Sequence, residues 1–143
     1  MHTTRTVKLF RLTVKAVILD DQQRCLVVRR SANNRSFVGC WEWPGGKVED
    51  GEDFVVALLR EVREETSLVV EITALAGATT FEMPVAQNVL LCMEAQIVSG
   101  TARLGEEHDD FAWVPLGELH HYNFSPGIDK FMLDYAKQKS ESR

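Results

Sequence analysis

The segment from Asp53 to Thr66 carries four charged residues at spacings that could do chemistry: Arg60, Glu61, Glu64 and Glu65. It has no Gly or Pro and is rich in Ala, Leu, Arg and Glu, which predicts a helix. On a wheel of about 100° per residue with Phe54 at zero, Ala57, Leu58 and Val62 fall within about 80° of it, as a buried stripe should. Glu61 and Glu65 fall at roughly −20° and +20°, inside that stripe, and Glu64 lies beside them at about −80°. Burying unpartnered carboxylates costs several kcal/mol. Either they turn neutral or pair with Arg60 and Arg63, or a divalent cation sits on them. Oxygen ligands in this number suit Mg²⁺, with Mn²⁺ as the alternative.

The preceding loop, Trp41-Glu42-Trp43-Pro44-Gly45-Gly46-Lys47-Val48-Glu49-Asp50-Gly51-Glu52, favours the cation. Paired glycines let backbone approach a ligand closely, with carbonyl and N–H groups free to face a metal or phosphate. Glu52 can reach back to a backbone N–H or to Arg60.

Gly46, Glu52, Arg60, Glu61, Val62, Glu64, Glu65 and Leu68 closely resemble the Nudix hydrolase signature G-x5-E-x7-R-E-U-x-E-E-x-G-U, where U is apolar. Eight of its nine fixed positions match, within residues 46–68. Ser67 stands where the family has Gly, at a helix exit that favours a left-handed cap. The resemblance implies an α/β/α sandwich with a mixed sheet and a loop-helix-loop catalytic motif. It makes Glu61, Glu64 and Glu65 metal ligands together with the Gly45 carbonyl, Arg60 and Glu52 the pair that orients them, and Glu64 the first candidate base. It implies attack of water on a phosphorus of a nucleoside diphosphate linked to X.

The block Trp41 to Lys47 and the run Leu26 to Arg30 are similar to MutT-like nucleoside triphosphate pyrophosphohydrolases. That likeness nominates Arg30 for nucleotide contact, against a plain strand-end surface arginine. In Glu106 to Val114 it nominates Glu107 as a further metal ligand, against a merely exposed loop carboxylate. Gly46, Phe81 and Asn123 complete the expected substrate contacts, with core packing the alternative for Phe81. Family members that select 8-oxoguanine read it with an Asn near the final helix. Phe124 aligns there, between Asn123 and Ser125, so oxidised-guanine specificity is not supported. Pro84, 16 positions after Leu68, resembles the marker of ADP-ribose pyrophosphatases. The expected reaction is a nucleoside triphosphate to monophosphate and pyrophosphate. The alternatives are ADP-ribose or nucleotide-sugar hydrolysis and, third, a non-catalytic nucleotide-binding module.

Other residues read more plainly. His108 is expected in a loop, His120 and His121 at the surface, Trp41 and Trp43 packed under the loop, and Cys40 as a buried thiol.

The elements that must position these groups are strands over Thr6 to Leu19 (bent or split), Cys25 to Arg30, Leu68 to Leu75, Asn88 to Ala95 and Phe111 to Val114. A short helical turn is expected at Leu116 to His120. A last helix from about Gly127 to Lys137 carries Ile128, Phe131, Met132 and Tyr135 on one stripe, and the chain is expected to fray from Lys137. Of 143 residues, 45% are hydrophobic and 26% charged, which predicts one domain over 1–143. The balance of 16 basic against 21 acidic residues, a net charge of −5, weighs against duplex nucleic acid. No apolar run reaches the ~18–20 residues of a membrane span, and no secretory h-region follows Met1. Cys25, Cys40 and Cys92 form no C-x-x-C, which predicts reduced thiols in a cytoplasmic protein. A monomer or homodimer is expected, with a small nucleotide as partner.

Overall fold

Strand β1 (Leu9–Leu19) contains the run Val14-Lys15-Ala16-Val17-Ile18, buried on both of its faces, as happens when helices cover both sides of a sheet. The computed structural model describes residues 9–84 and 86–141 of the chain. The remaining strands are β2 (Arg24–Arg30), β3 (Trp41–Glu42), β4 (Gly45–Lys47), β5 (Val69–Met83), β6 (Ala86–Ser99) and β7 (His108–Pro115). Helix α1 (Phe54–Thr66) follows β4, and α2 (Asp129–Glu141) ends the fold after a 3-10 turn at Leu116–His121.

The sheet is mixed. β1 runs parallel to β6 along its whole length, and β5 closes that edge as an antiparallel hairpin with β6. The other edge of β1 changes partner, pairing with β4 at Thr13–Lys15 and with β2 at Leu19. The expected bend or split in this strand is thus a switch of partners along one continuous strand, and Thr6 to Lys8 lie outside the described residues. β2 in turn carries β7 on one edge and β3 on the other.

Alternation sorts side chains into two cores. Val14, Ala16, Ile18 and Leu26 pack with Ala57, Leu58 and Val62 of α1. Val17, Cys25, Val27, Leu90 and Cys92 pack with Ile128, Met132 and Tyr135 beneath α2. Burial pushes the Cys25 and Cys92 thiols up to about 12. All three cysteines are free, and Cys40 is half-buried rather than buried.

The β5–β6 hairpin is far longer than its apolar pattern announces. β5 is interrupted by bulges near Val69, Thr73 and Ala76, and each one resets the two-residue alternation. Gly77 sits in that irregular stretch because the Phe131 ring would lie only 3.0 Å from any Cβ there. Pro84 follows the last pair, Met83 with Ala86, at the hairpin end. The expected fraying from Lys137 is also corrected, since α2 continues to Glu141. Lys139 donates to the Glu94 carboxylate at 3.1 Å and the Tyr135 hydroxyl at 2.9 Å, tying that last turn to β6.

Helix α1 is capped at both ends. The Asp53 carboxylate accepts from the Val56 N–H, and Ser67 takes the left-handed conformation (φ 63°) with its N–H donating to the Arg63 carbonyl. A non-glycine residue there costs about 1–2 kcal/mol. Ser67→Gly is therefore expected to stabilise the fold by about 1 kcal/mol, raising Tm by a few degrees in a thermal melt. An unchanged or lower Tm would mean that the Ser67 hydroxyl, which donates to the Arg103 carbonyl at 3.2 Å, offsets the strain.

Candidate active site

The helix that begins at Asp53 presents Glu61, Glu64 and Glu65 along one edge, and the loop before β7 lies opposite. Together Glu61, Glu64, Glu65, Gly105, Glu106 and Glu107 line a cavity of about 130 Å³. The three helix glutamates and Glu107 are thus brought together from parts of the chain some 40 residues apart in sequence.

Each carboxylate is held differently. Glu65 is buried, and its Oε2 accepts from the Gly45 N–H at 2.8 Å. Burial, reinforced by the charges of Glu42 and Glu61, holds its carboxyl well above the usual range despite Lys15 and that N–H. Glu61 is raised too, first by burial and then by Glu64 and Glu107, against the pull of Arg60. Glu64 is the open one, with its side chain 60% exposed.

Arg60 ties these groups to the loop. Its Nε and Nη2 donate to both oxygens of Glu52 at 2.9 and 3.0 Å, while Nη1 reaches Glu61 at 3.1 Å and Glu64 at 3.4 Å. The Glu52 carboxyl is lowered chiefly by this contact. Arg60 therefore positions the glutamates, although it is itself no ligand. At Gly46 a Cβ would lie 2.7 Å from the Glu61 carboxyl carbon, so a side chain there would push that carboxylate aside. At Gly45 a Cβ would collide with the Val14 carbonyl oxygen.

Behind the acidic cavity lies a buried network that the sequence did not announce. Glu42 on β3 accepts from Arg30 Nη1 at 3.1 and 3.2 Å, lies 3.4 Å from Lys15 Nζ, and sits 2.8 Å from His108 Nε2. Burial would raise its carboxyl, but Lys15, His108 and Arg30 together bring it down to about 2. His108 Nδ1 faces Glu65 at 3.8 Å and has no hydrogen-bond partner among the described residues. His108, expected in a loop, instead opens β7 and is buried. Ligand atoms of Glu42, Glu65 and His108 lie within 4.8 Å of one another. The Lys15 ammonium already answers the Glu42 charge there and also donates to the Gly45 carbonyl at 3.4 Å. The open oxygens of Glu61, Glu64 and Glu107 are therefore the better place for a cation.

Lys15 and Glu42 also wall a second cavity of about 250 Å³, over the α2 face of the sheet. Arg11, Arg30 and Lys47 bring positive charge to it, Phe37 and Phe81 bring aromatic rings, and Asn88 and Ser125 bring polar groups. Arg30 and Phe81 both line this cavity, although Arg30 is already ion-paired and Phe81 also packs on the core. Asn123 does not line this cavity: its amide reaches Cys40 Sγ at 3.8 Å, and its carbonyl accepts from the Trp41 N–H. Phe124 is buried in the core, and Trp43 packs edge-on against Phe131 and Tyr135.

Lys15, Glu42 and His108 were missed as site residues. A signal existed for two of them, since Lys15 and Glu42 are opposite charges placed inside otherwise apolar strand segments, VKAVI and WEW. Nothing local marks His108.

The donor set of four glutamates is hard and oxygen-rich, and two of its carboxyls are raised by crowding and burial, which a cation would relieve. Among the described residues no helix is long and apolar enough to cross a membrane.

A sequence profile of the NUDIX domain matches residues 9–135. The ADP-ribose pyrophosphatase of Methanocaldococcus jannaschii is 26% identical over 125 residues, covering 86% of this chain and 72% of that protein. The putative 8-oxo-dGTP diphosphatase 2 of Mycobacterium tuberculosis is 30% identical over 115 residues, covering 78% and 79%. Among solved structures, a MutT protein from Methanosarcina mazei superposes with a TM-score of 0.83 at 27% identity, covering 94% of this chain and 99% of that one.

Proposed function

This chain belongs to the Nudix family of hydrolases, and we propose that it cleaves a nucleoside triphosphate to the monophosphate and pyrophosphate in a Mg²⁺-dependent reaction. The observation that carries this reading is the pair of adjoining cavities, one acidic and one cationic with aromatic walls, separated by the Lys15–Glu42–His108–Glu65 network. Polyphosphate needs the first, and a base with its sugar needs the second.

Glu61, Glu64, Glu65 and Glu107 would hold the cation, which supplies neutralisation of phosphate oxygens and activation of water. Glu64, an open carboxylate with its side chain 60% exposed, accepts the proton as water adds to phosphorus and the bond to the bridging oxygen breaks. Arg60 holds Glu61 and Glu64 at fixed separation, so little reorganisation is needed. Lys47 and Arg11 bind the anionic phosphates at the mouth of the second cavity.

A second reading, hydrolysis of ADP-ribose, is favoured by the relative named for that activity and by Pro84 beside Met83, which lines the second cavity. Product release from purified protein, Mg²⁺ and a panel of canonical and modified triphosphates, ADP-ribose and nucleotide sugars separates the two. Pyrophosphate is expected. Monophosphates from ADP-ribose alone would replace the first reading with the second.

Protons and cation compete for Glu61 and Glu65, whose raised carboxyls hold protons further up the pH scale than ordinary glutamates do. Calorimetric titration with Mg²⁺ is expected to show affinity still rising above the pH range in which ordinary glutamates finish titrating, up to about tenfold per pH unit for each proton displaced. A flat profile would remove these two residues from the ligand set.

A further inference from the structure

Two polar side chains in the second cavity have nothing to bond to. Asn88 is 5% exposed, and its carboxamide has no hydrogen-bond partner among the described residues. Ser125 is 6% exposed, and its Oγ is buried without a partner. Leaving the buried Ser125 Oγ unsatisfied costs about 1–3 kcal/mol, and a fold keeps such a group where a ligand can answer it; Asn88 lines the same cavity beside it.

We propose that Asn88 and Ser125 form the base-reading wall of this cavity, with Asn88 the main determinant of which nucleobase is accepted. The inference rests on the nucleotide reading above and deepens it. Asn88 stands mid-sheet on β6, flanked in register by Arg11 on β1 and Phe81 on β5. Its position on a paired strand fixes its direction better than a loop would. The Phe81 ring lies close over Gly127, where a Cβ would come within 3.3 Å of it, and it also packs against the core beneath α2. A planar base therefore meets a fixed aromatic wall, a carboxamide and a hydroxyl in one enclosure. A carboxamide offers one acceptor and two donors, so it pairs in bidentate fashion with an adjacent donor and acceptor on a base edge. Of the charged groups on this cavity, Lys15, Arg30 and Glu42 are already committed to one another, while Arg11, next to Asn88 in register, and Lys47 serve the phosphates. That leaves the neutral pair to discriminate. A site built to hydrogen-bond its substrate rejects analogues that leave its polar groups unpaired.

The test measures binding of AMP, GMP, CMP and UMP in EDTA, where no turnover is needed, to the wild type, Asn88→Asp, Asn88→Ser and Ser125→Ala. The wild type is expected to prefer one base by about tenfold or more, as a bidentate contact allows. Asn88→Asp keeps the size and removes the donors, so that ratio should collapse while affinity for the poorest base stays within about twofold. Ser125→Ala should narrow the ratio less. Equal binding of all four by the wild type overturns the proposal, as does an unchanged ratio in folded Asn88 variants. Should those variants melt early, the wild-type Asn88 side-chain NH₂ resonances decide: a base-dependent shift on titration is expected, and no shift overturns it. If no triphosphate is hydrolysed while Asn88→Asp still abolishes base preference, the catalytic reading fails and this one stands.

Discussion

Glu64→Gln is expected to lower kcat for the preferred triphosphate by about 10²–10⁴-fold, the usual contribution of a positioned proton acceptor. The substitution keeps the shape and removes the charge. Its fold cost should be small because the Glu64 side chain is 60% exposed and its one ion pair among the described residues, with Arg60, is a long 3.4 Å contact. Surface pairs of that kind contribute about 0–1 kcal/mol. Tm should therefore change by no more than a few degrees while activity disappears. Binding of a nucleoside monophosphate should be retained, because the second cavity does not include Glu64. Loss of less than about tenfold in kcat would move the base elsewhere on the acidic cavity, to Glu107 or Glu61.

Glu42→Gln is expected to cost about 3–5 kcal/mol in urea denaturation, the usual effect of removing one partner from a buried ion pair. Glu42 is the shared acceptor of Lys15, Arg30 and His108, and the Lys15 side chain is only 8% exposed. Neutralising Glu42 leaves that ammonium, among the described residues, with the Gly45 carbonyl in hydrogen-bond reach and the Glu65 carboxyl further off. Adding Lys15→Met should recover part of the loss by removing the stranded charge.

The acid limb of stability gives an independent reading. A carboxyl brought from 4.5 to about 2 is depressed in the folded state, so its contribution is complete above about pH 5 and is lost as pH falls towards 2. That contribution is about 3 kcal/mol. Glu65 has the opposite sign, because its raised carboxyl favours the fold when protonated, and losing the Glu42 charge relaxes that shift only in part, since burial is its largest cause. The difference between wild type and Glu42→Gln should therefore shrink by about 3 kcal/mol between about pH 5 and 2. A difference independent of pH, or a cost below about 1 kcal/mol, would show that Lys15 and Arg30 find other partners.

What could be read from the sequence follows from distance along the chain. Residues 46–68 form one loop and one helix, so the spacing of Gly46, Glu52, Arg60, Glu61, Glu64 and Glu65 translates directly into spatial neighbourhood. A helix repeats every 3.6 residues whatever surrounds it, which is why carboxylates inside an apolar stripe stood out. The same periodicity identified the stripe of α2, and the β-branched, apolar runs of β1 and β2 marked strands of the sheet that both helices cover. Bulges hid half of β5, because each one shifts the alternation by a residue.

The nominations that depended on neighbours far away in sequence fared unevenly. Glu107 arrived beside the helix glutamates, whereas Asn123 lies off the cavity that its neighbour Ser125 lines. Lys15, Glu42, His108 and Asn88 stand on four different strands, and no local pattern relates them. Sheet order alone, with β1 parallel to β6 and β2 between β3 and β7, sets them around two adjoining cavities. The acidic helix and its loop could be read locally, because backbone geometry converts such short-range patterns into shape, and the reaction class followed from the family resemblance those residues carry. Tertiary structure decided which charges are buried against each other and which polar groups are left facing a ligand, because burial and pairing depend on strands that meet only after the chain has folded.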